Sequence, residues 1–167
     1  MALDPDFGRP LPRGMTVIGG GWRGPGQHAG VDIAVPQGTP VFAVASGVVT
    51  QASATPKGDL GIFAAIAHPS GLVTRYLHFS RLDVAPGSRV SKGQRIGLSG
   101  NTGHSAGPHL HFAIKIPSPA VVAEVTADCP WYSVALNDAT FTNQGTAVTL
   151  TDTIPTGAFA IGVIAFD

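Results

Sequence analysis

The chain has little cysteine and little charge. Its 167 residues include one cysteine, Cys129, and charged residues make up 12%. A single cysteine can form neither an intrachain disulfide nor a thiolate zinc cluster, and we expect Cys129 to be a small buried apolar residue. Ten basic side chains balance ten acidic ones. This neutral balance lacks the positive surface that nucleic acids or anionic membranes attract, so we expect no nucleic-acid partner.

Long apolar runs are absent as well. No stretch approaches the roughly 20 apolar residues of a membrane-spanning helix, so we expect no membrane span. The N-terminal sequence MALDPDFGRPLPRG has no basic segment followed by an apolar core. It therefore shows no secretory signal peptide. If the substrate lies outside the cytoplasm, either the leader is missing from this sequence or the protein reaches the substrate by another route.

Short apolar runs, glycine and proline are abundant. Apolar residues make up 44% of the chain, with 22 glycines and 14 prolines. The runs VDIAV, VFAVA, GIFAAIA, GLVTRYLHF and LHFAIKI are separated by turn sequences such as PQG and PSG. This pattern is typical of β-strands joined by tight turns, and no helix-period segment competes with it. The sequence predicts a mainly β fold.

Three segments differ in composition. Residues 1–27 are rich in glycine and proline and are predicted to form an irregular arm. Residues 28–116 carry the strand pattern and form the predicted core. The motif region of this core begins earlier, at about residue 19. A Pro-Ser-Pro sequence then opens residues 117–167, a β-rich extension that ends in the apolar stretch AFAIGVIAF. A free edge strand of this kind would aggregate, so we expect it to pack on the core or on another subunit.

The first candidate ligand pair is His28 and Asp32. In an extended strand these side chains would share a face but lie about 13 Å apart, too far to bind one metal ion. Gly30 between them permits a bend that would bring them together. The pair by itself is a common chance occurrence.

A second pair, His109 and His111, lies in the last predicted strand of the core. Residues i and i+2 of a strand point to the same face, so both imidazoles would enter one site while Leu110 packs on the other side. The glycine-rich sequence before them, SGNTGHSAGP, brings backbone close to that site. The alternative is two exposed histidines on an edge strand.

The remaining histidines have weaker claims. His78 alternates with apolar neighbours in RYLHF and fits either a hydrogen-bonded core histidine or a site residue. We expect His68 to be structural and His104 to be a loop residue near the mouth of the site.

The chemistry of these groups is that of metal-assisted hydrolysis. Two imidazoles and one carboxylate can hold a zinc ion and leave a fourth position for water. Zinc lowers the pKa of bound water to about 7 and so generates a nucleophile at neutral pH. Further histidines beside the metal can accept the proton of the water, stabilise an oxyanion and protonate a leaving amine.

These motifs resemble those of the lysostaphin/LytM-type M23 metallopeptidases. HAGVDIAVPQGTPVFAVASGVV is similar to the first metal motif of that family, GLVTRYLHFS to its middle histidine motif, and VAPGSRVSKGQRIGLSGNTGHSAGPHLHF to its closing motif. The likeness runs from about Gly19 to Ile116, in the order and spacing of the family.

The resemblance implies a zinc peptidase with a twisted antiparallel β-sheet and a groove across it. It implies that one Zn²⁺ is bound by His28, Asp32 and His111, and that His78 and His109 assist catalysis without binding the metal. It also implies cleavage of peptide cross-links in bacterial peptidoglycan, either glycine-rich bridges or D-alanyl–diaminopimelate bonds.

The chain departs from the family pattern in three respects. Ala113 replaces the acidic residue that usually follows HLHF, and we expect this position to point away from the histidines with a modest effect. Residues 117–167 have no counterpart in the minimal family domain. No wall-targeting module is recognisable.

Three alternatives remain at this level. The same ligand types form the iron site of non-haem oxygenases. The VSKGQRIG segment is similar to strands of biotinyl and lipoyl carrier domains, although Lys92 lacks the flanking sequence of a modified lysine. A virion structural component could retain the peptidase fold without activity.

The apolar extension and the lack of a visible leader favour a phage setting. We expect a tail-associated lysin or an endolysin released by host lysis, acting in the cell wall or periplasm. The partners would be peptidoglycan peptide stems and, through the extension, a phage tail or a second copy of the chain. The low lysine content and the richness in alanine, glycine and proline indicate a GC-rich genome. Such a genome favours diaminopimelate cross-links over pentaglycine bridges.

Overall fold

A computed structural model describes residues 8–12, 16–20 and 30–116 and five short strands beyond them. The strands are β1 (Thr16–Gly20), β2 (Val31–Ala34), β3 (Pro40–Phe42), β4 (Gly47–Lys57), β5 (Gly61–Ala67), β6 (Val73–Leu82), β7 (Arg89–Val90), β8 (Arg95–Ser99), β9 (His109–Ile116), β10 (Glu124–Thr126), β11 (Val134–Leu136), β12 (Ala139–Phe141), β13 (Ala147–Thr149) and β14 (Phe159–Ile161). A 3₁₀ turn, Gly58–Leu60, joins β4 to β5.

The core is one antiparallel sheet. Its main path runs in the order β1-β2-β9-β6-β5-β4-β7, with β8 on β6, β3 on β8 and β14 on β9. Each of these pairings is antiparallel. Within the described ranges the single helical element is the 3₁₀ turn. The predicted mainly β, antiparallel fold is confirmed.

Apolar side chains of the central strands form the core. Leu110, Phe112 and Ile114 alternate along β9 and are fully buried, as expected for one face of a strand. The rings of Phe112 and Tyr76 pack with centroids 5.2 Å apart. Burying each such large side chain stabilises the fold by about 1.5–3 kcal/mol, so β9 and β6 are held together at the centre of the sheet.

A chain of polar groups crosses this core beside Tyr76. The Val44 N–H donates to the Tyr76 hydroxyl (3.0 Å), which lies 3.2 Å from Thr74 Oγ1. His68 Nε2 lies 2.8 Å from the same Thr74 oxygen, and His68 Nδ1 donates to the Ser46 carbonyl (2.9 Å). Burial lowers the pKa of His68 and raises the pKa of Tyr76 to about 12. His68 is therefore structural, as predicted.

The C-terminal extension contributes described strands as well. β10 pairs with β13, and β11 pairs with β12. β14, which lies in the apolar AFAIGVIAF stretch, pairs with β9 through Phe159↔Ile116 and Ile161↔Ile114. Of the two expectations for this stretch, packing on the core agrees with the β14 pairing. No helix in the described ranges is long and apolar enough to cross a membrane.

Candidate active site

Strands β2 and β9 bring Asp32 and His111 together. The two residues are direct cross-strand partners, and their side chains point to the same face because paired residues of an antiparallel sheet share a face. Asp32 Oδ1 lies 2.8 Å from His111 Nδ1. Two residues 79 positions apart in the sequence thus place a carboxylate oxygen and an imidazole nitrogen at one point.

His109 lies two residues before His111 on the same face of β9, where it pairs with Ala34 of β2. Its Nε2 is 3.6 Å from Asp32 Oδ1. Its Nδ1 lies 2.8 Å from the Gly107 carbonyl oxygen and 3.1 Å from Ser105 Oγ. Since a carbonyl oxygen only accepts hydrogen bonds, Nδ1 carries the hydrogen. In the neutral ring, Nε2 then keeps its lone pair on the side of Asp32.

His78 enters the site from β6. Its neighbour Leu77 pairs with His111 of β9, whereas Phe79 pairs with Ser99 of β8, so His78 lies where β6 changes partners. Its φ of 66° is the one positive value at a non-glycine residue in the described part of the chain. Its Nδ1 is 2.7 Å from the Thr102 carbonyl oxygen. The ring of His78 lies beside the two β9 histidines.

The three imidazoles form a cluster. The ring centroids of His78 and His109 are 4.6 Å apart, and those of His78 and His111 are 6.1 Å apart. Burial lowers the pKa of His78, and the two neighbouring histidines lower it further, against the opposing effects of the Thr102 carbonyl and Asp32. Because this pKa is below the ordinary value of about 6.5, His78 is neutral at pH 7 and able to accept a proton.

A cleft of about 510 Å³ opens over this cluster. One wall is formed by the loop that precedes β9, including His104, which is exposed as expected for a residue at the mouth. That loop also contributes Ser105, Ala106, Gly107 and Pro108 to the lining of the cleft. The remaining lining residues are Asp32, His78, His109 and His111.

The donor atoms at this point fit a zinc ion. Zinc lies about 2.0–2.2 Å from imidazole nitrogen and carboxylate oxygen ligands, so the 2.8 Å between Asp32 Oδ1 and His111 Nδ1 lets one ion contact both. The third predicted ligand, His28, lies outside the described residues. Within the described ranges alone, no three His, Cys, Asp or Glu side chains form a metal-binding group.

Gly30 shapes the backbone beside these donors. Its φ is 152°, a value that side chains rarely allow. A Cβ at this position would lie 2.5 Å from the Phe112 carbonyl oxygen and 2.7 Å from His111 Nε2. The chain therefore passes against the His111 ring at a residue with no side chain. The predicted approach of His28 to Asp32 lies outside the described residues and stays a prediction.

The expectation for Ala113 is wrong. β9 pairs with β6 through Arg75↔Ala113 and Leu77↔His111 without a bulge between them. Because side chains alternate along a strand, Ala113 lies on the face of His109 and His111, opposite the core residues on either side of it. The residue that replaces the acidic side chain of the family is thus a neighbour of the histidines.

Sequence reasoning missed the residues that hold the histidines in place. Thr102 contacts His78, Ser105 contacts His109, and Asn101 Oδ1 accepts a hydrogen bond from Ser105 Oγ at 2.6 Å. All three belong to the Gly-rich loop before β9. The loop sequence indicated close backbone approach, but only the fold shows which oxygen meets which ring.

A family model described as "Peptidase family M23" matches residues 26–122, more than half of the chain. The chain belongs to peptidase family M23. The predicted lysostaphin/LytM-type resemblance is confirmed, and the described site lies entirely inside the matched range.

Individual M23 proteins are similar to the same part of the chain. Peptidoglycan DD-endopeptidase ShyA from Vibrio cholerae is 48% identical over 89 residues, which are 53% of this chain and 20% of that protein. The chain thus spans about a fifth of the length of such curated relatives.

Solved structures agree in fold. A zinc-containing peptidase from Vibrio cholerae matches with a TM-score of 0.57 and 34% identity, over 65% of this chain and 36% of that one. Lysostaphin from Staphylococcus simulans matches with a TM-score of 0.56 and 36% identity, over 62% and 43%. The catalytic domain of the prophage-encoded M23 protein EnpA from Enterococcus faecalis, as its A109H mutant, matches with a TM-score of 0.56 and 30% identity, over 65% and 85%.

Proposed function

We propose that this chain is a zinc endopeptidase that hydrolyses peptide cross-links of peptidoglycan. Zinc would be held by His28, Asp32 and His111, while His78 and His109 move protons and stabilise charge. The observation that carries the proposal is the convergence of one carboxylate and three imidazoles on one cleft. Two of those imidazoles have Nδ1 against a backbone carbonyl oxygen.

Zinc would supply a water of lowered pKa and would polarise the peptide carbonyl. The chain's own residues then handle the protons. With Nδ1 of His109 directed at Gly107, its Nε2 is the basic nitrogen on the Asp32 side of the cleft and accepts the proton of the attacking water. The same atom can return that proton to the leaving amine.

His78 acts from the opposite side of His109. Its Nδ1 is held by the Thr102 carbonyl, so its Nε2 is the nitrogen left for substrate. As the ring lies 4.6 Å from His109, centroid to centroid, its Nε2 can accept a proton in the cleft. Only in that protonated state does it donate a hydrogen bond to the negative oxygen that forms as the peptide carbonyl is attacked. Replacing either histidine should then slow turnover more than it weakens substrate binding.

We assign the substrate by the likeness to ShyA, which is named a peptidoglycan DD-endopeptidase. The bond would join D-alanine to the side chain of diaminopimelate in a neighbouring stem. The composition of the chain, low in lysine and rich in alanine, glycine and proline, indicates a GC-rich genome, which favours the same bond over pentaglycine bridges. The cleft would bind the peptide stem in extended form along the histidine face of the sheet.

We also propose that the enzyme is phage-derived and that it acts in the cell wall or periplasm. The likeness to prophage-encoded EnpA supports this setting. The extension after residue 116 would then bind a phage tail or a second copy of the chain. Sequencing the genes on either side of the encoding gene tests this directly, since neighbouring tail or holin genes are expected and a bacterial cell-wall operon would contradict it.

The decisive experiment digests purified peptidoglycan with zinc-loaded protein and identifies the muropeptides by mass spectrometry. Cross-linked dimers should decrease, and monomers whose peptide stems end in D-alanine should increase. Asp32→Asn should abolish this conversion. Asp83→Asn is the matched control, because Asp83 lies in an exposed ion pair with Arg81 and Arg95, and it should cleave normally. Intact dimers after treatment with the folded, zinc-loaded protein would instead support an inactive virion component.

A further inference from the structure

Thr102 contacts three different parts of the sheet beside the cleft. Its carbonyl oxygen lies 2.7 Å from His78 Nδ1. Its hydroxyl donates to the carbonyl of Phe79 in β6 (2.7 Å) and accepts from the N–H of Ile62 in β5 (3.0 Å). One residue thus bridges two adjacent strands and, through its backbone, one imidazole.

The pairing of β6 with its neighbours is irregular around His78. The β5–β6 pairing is irregular between Ile62 and Ala64, and the β6–β8 pairing is irregular between Phe79 and Arg81. His78 lies within the first irregularity, because Tyr76 and Phe79 of β6 are the residues paired on either side of it, and its φ is 66°. A backbone conformation of this kind is strained and persists only where surrounding contacts impose it.

Close packing fixes Thr102 against the turn before β5. A Cβ on Gly61 would lie 2.4 Å from the Thr102 carbonyl oxygen, and a Cβ on Gly103 would lie 2.3 Å from the Gly61 nitrogen. The backbone N–H of His104 donates to the Asp59 carbonyl (3.0 Å). The loop is thus pressed on this turn where neither side carries a side chain, and the Thr102 carbonyl has little freedom to rotate.

We propose that Thr102 is a positioning residue for His78. Its hydroxyl ties β5 to β6 and thereby keeps its carbonyl under His78 Nδ1. That nitrogen carries the hydrogen, and Nε2 presents its lone pair to the substrate. The inference rests on the proposed role of His78 in peptide hydrolysis, but the placement of the hydrogen can be measured without any substrate.

The first test compares Thr102→Val with Thr102→Ser. Valine has a similar shape but no hydroxyl, so the bonds to Phe79 and Ile62 are lost. We expect kcat to fall by about 10- to 100-fold, with KM changed less than about twofold. Serine keeps the hydroxyl and should restore kcat to within about threefold of the parent. Thr50→Val is the matched control, because the Thr50 hydroxyl bonds to the Ala65 carbonyl (3.3 Å) on strands away from the cleft, and it should leave both constants unchanged.

The second test reads the hydrogen directly. Two-bond ¹H–¹⁵N correlation spectra of protein with labelled histidine distinguish Nδ1–H from Nε2–H rings. They are recorded at about pH 8.5, well above the ordinary histidine pKa of about 6.5. His78, assigned by its absence in His78→Ala, should carry its hydrogen on Nδ1 in the parent and in Thr102→Ser. In Thr102→Val it should become a mixture of both forms.

The outcomes separate this inference from the proposed function. An Nε2–H ring at His78 in the parent protein overturns the inference without any variant, so it remains testable even if Thr102→Val does not fold. Equal kcat in Thr102→Val and the parent overturns it as well. If His78→Ala retains full turnover while the Nδ1–H ring is observed, the role of His78 in catalysis fails and the placement by Thr102 stands.

Discussion

Asp32 and His111 face each other across β2 and β9, with Oδ1 of one 2.8 Å from Nδ1 of the other. Each backbone is fixed by the ladder hydrogen bonds of the sheet, so the two side chains are held side by side on one face. Ligands that are ordered in advance lower the entropy lost on binding. The pair therefore forms the fixed part of the proposed zinc site.

Zinc content and turnover should separate in variants of the five site residues. Changing Asp32, His28 or His111 to alanine removes a proposed ligand, so both zinc and activity should be lost. His78→Ala and His109→Ala should retain one zinc per chain and lose about 10²- to 10⁴-fold in kcat, the range expected for a proton-transferring group. Elemental analysis gives the zinc content of each variant, and kinetic assays give its kcat. An active His109→Ala protein would contradict the assigned roles.

Ser105→Ala should impair His109 mildly. The hydroxyl lies 3.1 Å from His109 Nδ1 and 2.6 Å from Asn101 Oδ1, but the Gly107 carbonyl remains as a partner of the ring. We expect kcat to fall about fivefold, equivalent to about 1 kcal/mol for one neutral hydrogen bond.

Two further variants give that measurement its meaning. Ser105→Thr, which keeps the hydroxyl, should recover most of kcat. Ser53→Ala is the control, since that hydroxyl is exposed and its partner is Thr55. A drop at position 53 as large as that at position 105 would show that the effect is not specific to His109.

Gly30→Ala should destabilise the fold and disturb the site together. The added methyl group would collide with the Phe112 carbonyl and the His111 ring in addition to straining the backbone. Gly71→Ala is the matched control, because Gly71 also has a positive φ (84°) but a Cβ there would meet nothing within 4 Å. Urea titration should show a loss of about 1 kcal/mol at Gly71 and at least about 2 kcal/mol more at Gly30. Equal losses would mean that the close approach to His111 is not rigid.

His68 should make stability depend on pH. Burial lowers its pKa in the folded state, so below about pH 6.5 the unfolded chain binds a proton that the folded chain resists. Stability should therefore fall as pH decreases from about 6.5 to the folded pKa and change little from this group below it. Thermal unfolding of His68→Gln should show a weaker decline over this range than the parent. Identical slopes in the two proteins would exclude His68 as a source.

Much of the sheet could be predicted from the sequence because periodicity carries the relevant physics. Leu110, Phe112 and Ile114 alternate with the two histidines, and this alternation alone places the imidazoles on the face opposite the core. The same rule, applied one step further, would also have placed Ala113 correctly. β9 is regular from His111 to Ala113, so the alternation holds across this position without a bulge.

The placement of His78 could not be predicted in this way. Its side chain reaches the cleft because β6 changes partner from β9 to β8 at this residue and adopts a positive φ. Where a strand changes partner depends on which other strands lie beside it. That arrangement is a property of the whole sheet, and the local sequence does not encode it. The oxygens of Thr102 and Gly107 that lie against the rings of His78 and His109 are backbone carbonyls. Every residue type carries a backbone carbonyl, so the sequence does not indicate which of them contacts which ring.

The pairing of β14 with β9 connects the extension by hydrogen bonds to the strand that carries His109 and His111. Phe159–Ile161 takes up the backbone groups of Ile114–Ile116, three residues beyond the strand positions of the HLH motif. A partner that displaced β14 would therefore act on the same continuous β-strand that carries His109 and His111, so binding at residues 159–161 would be coupled through the sheet to the proposed active site.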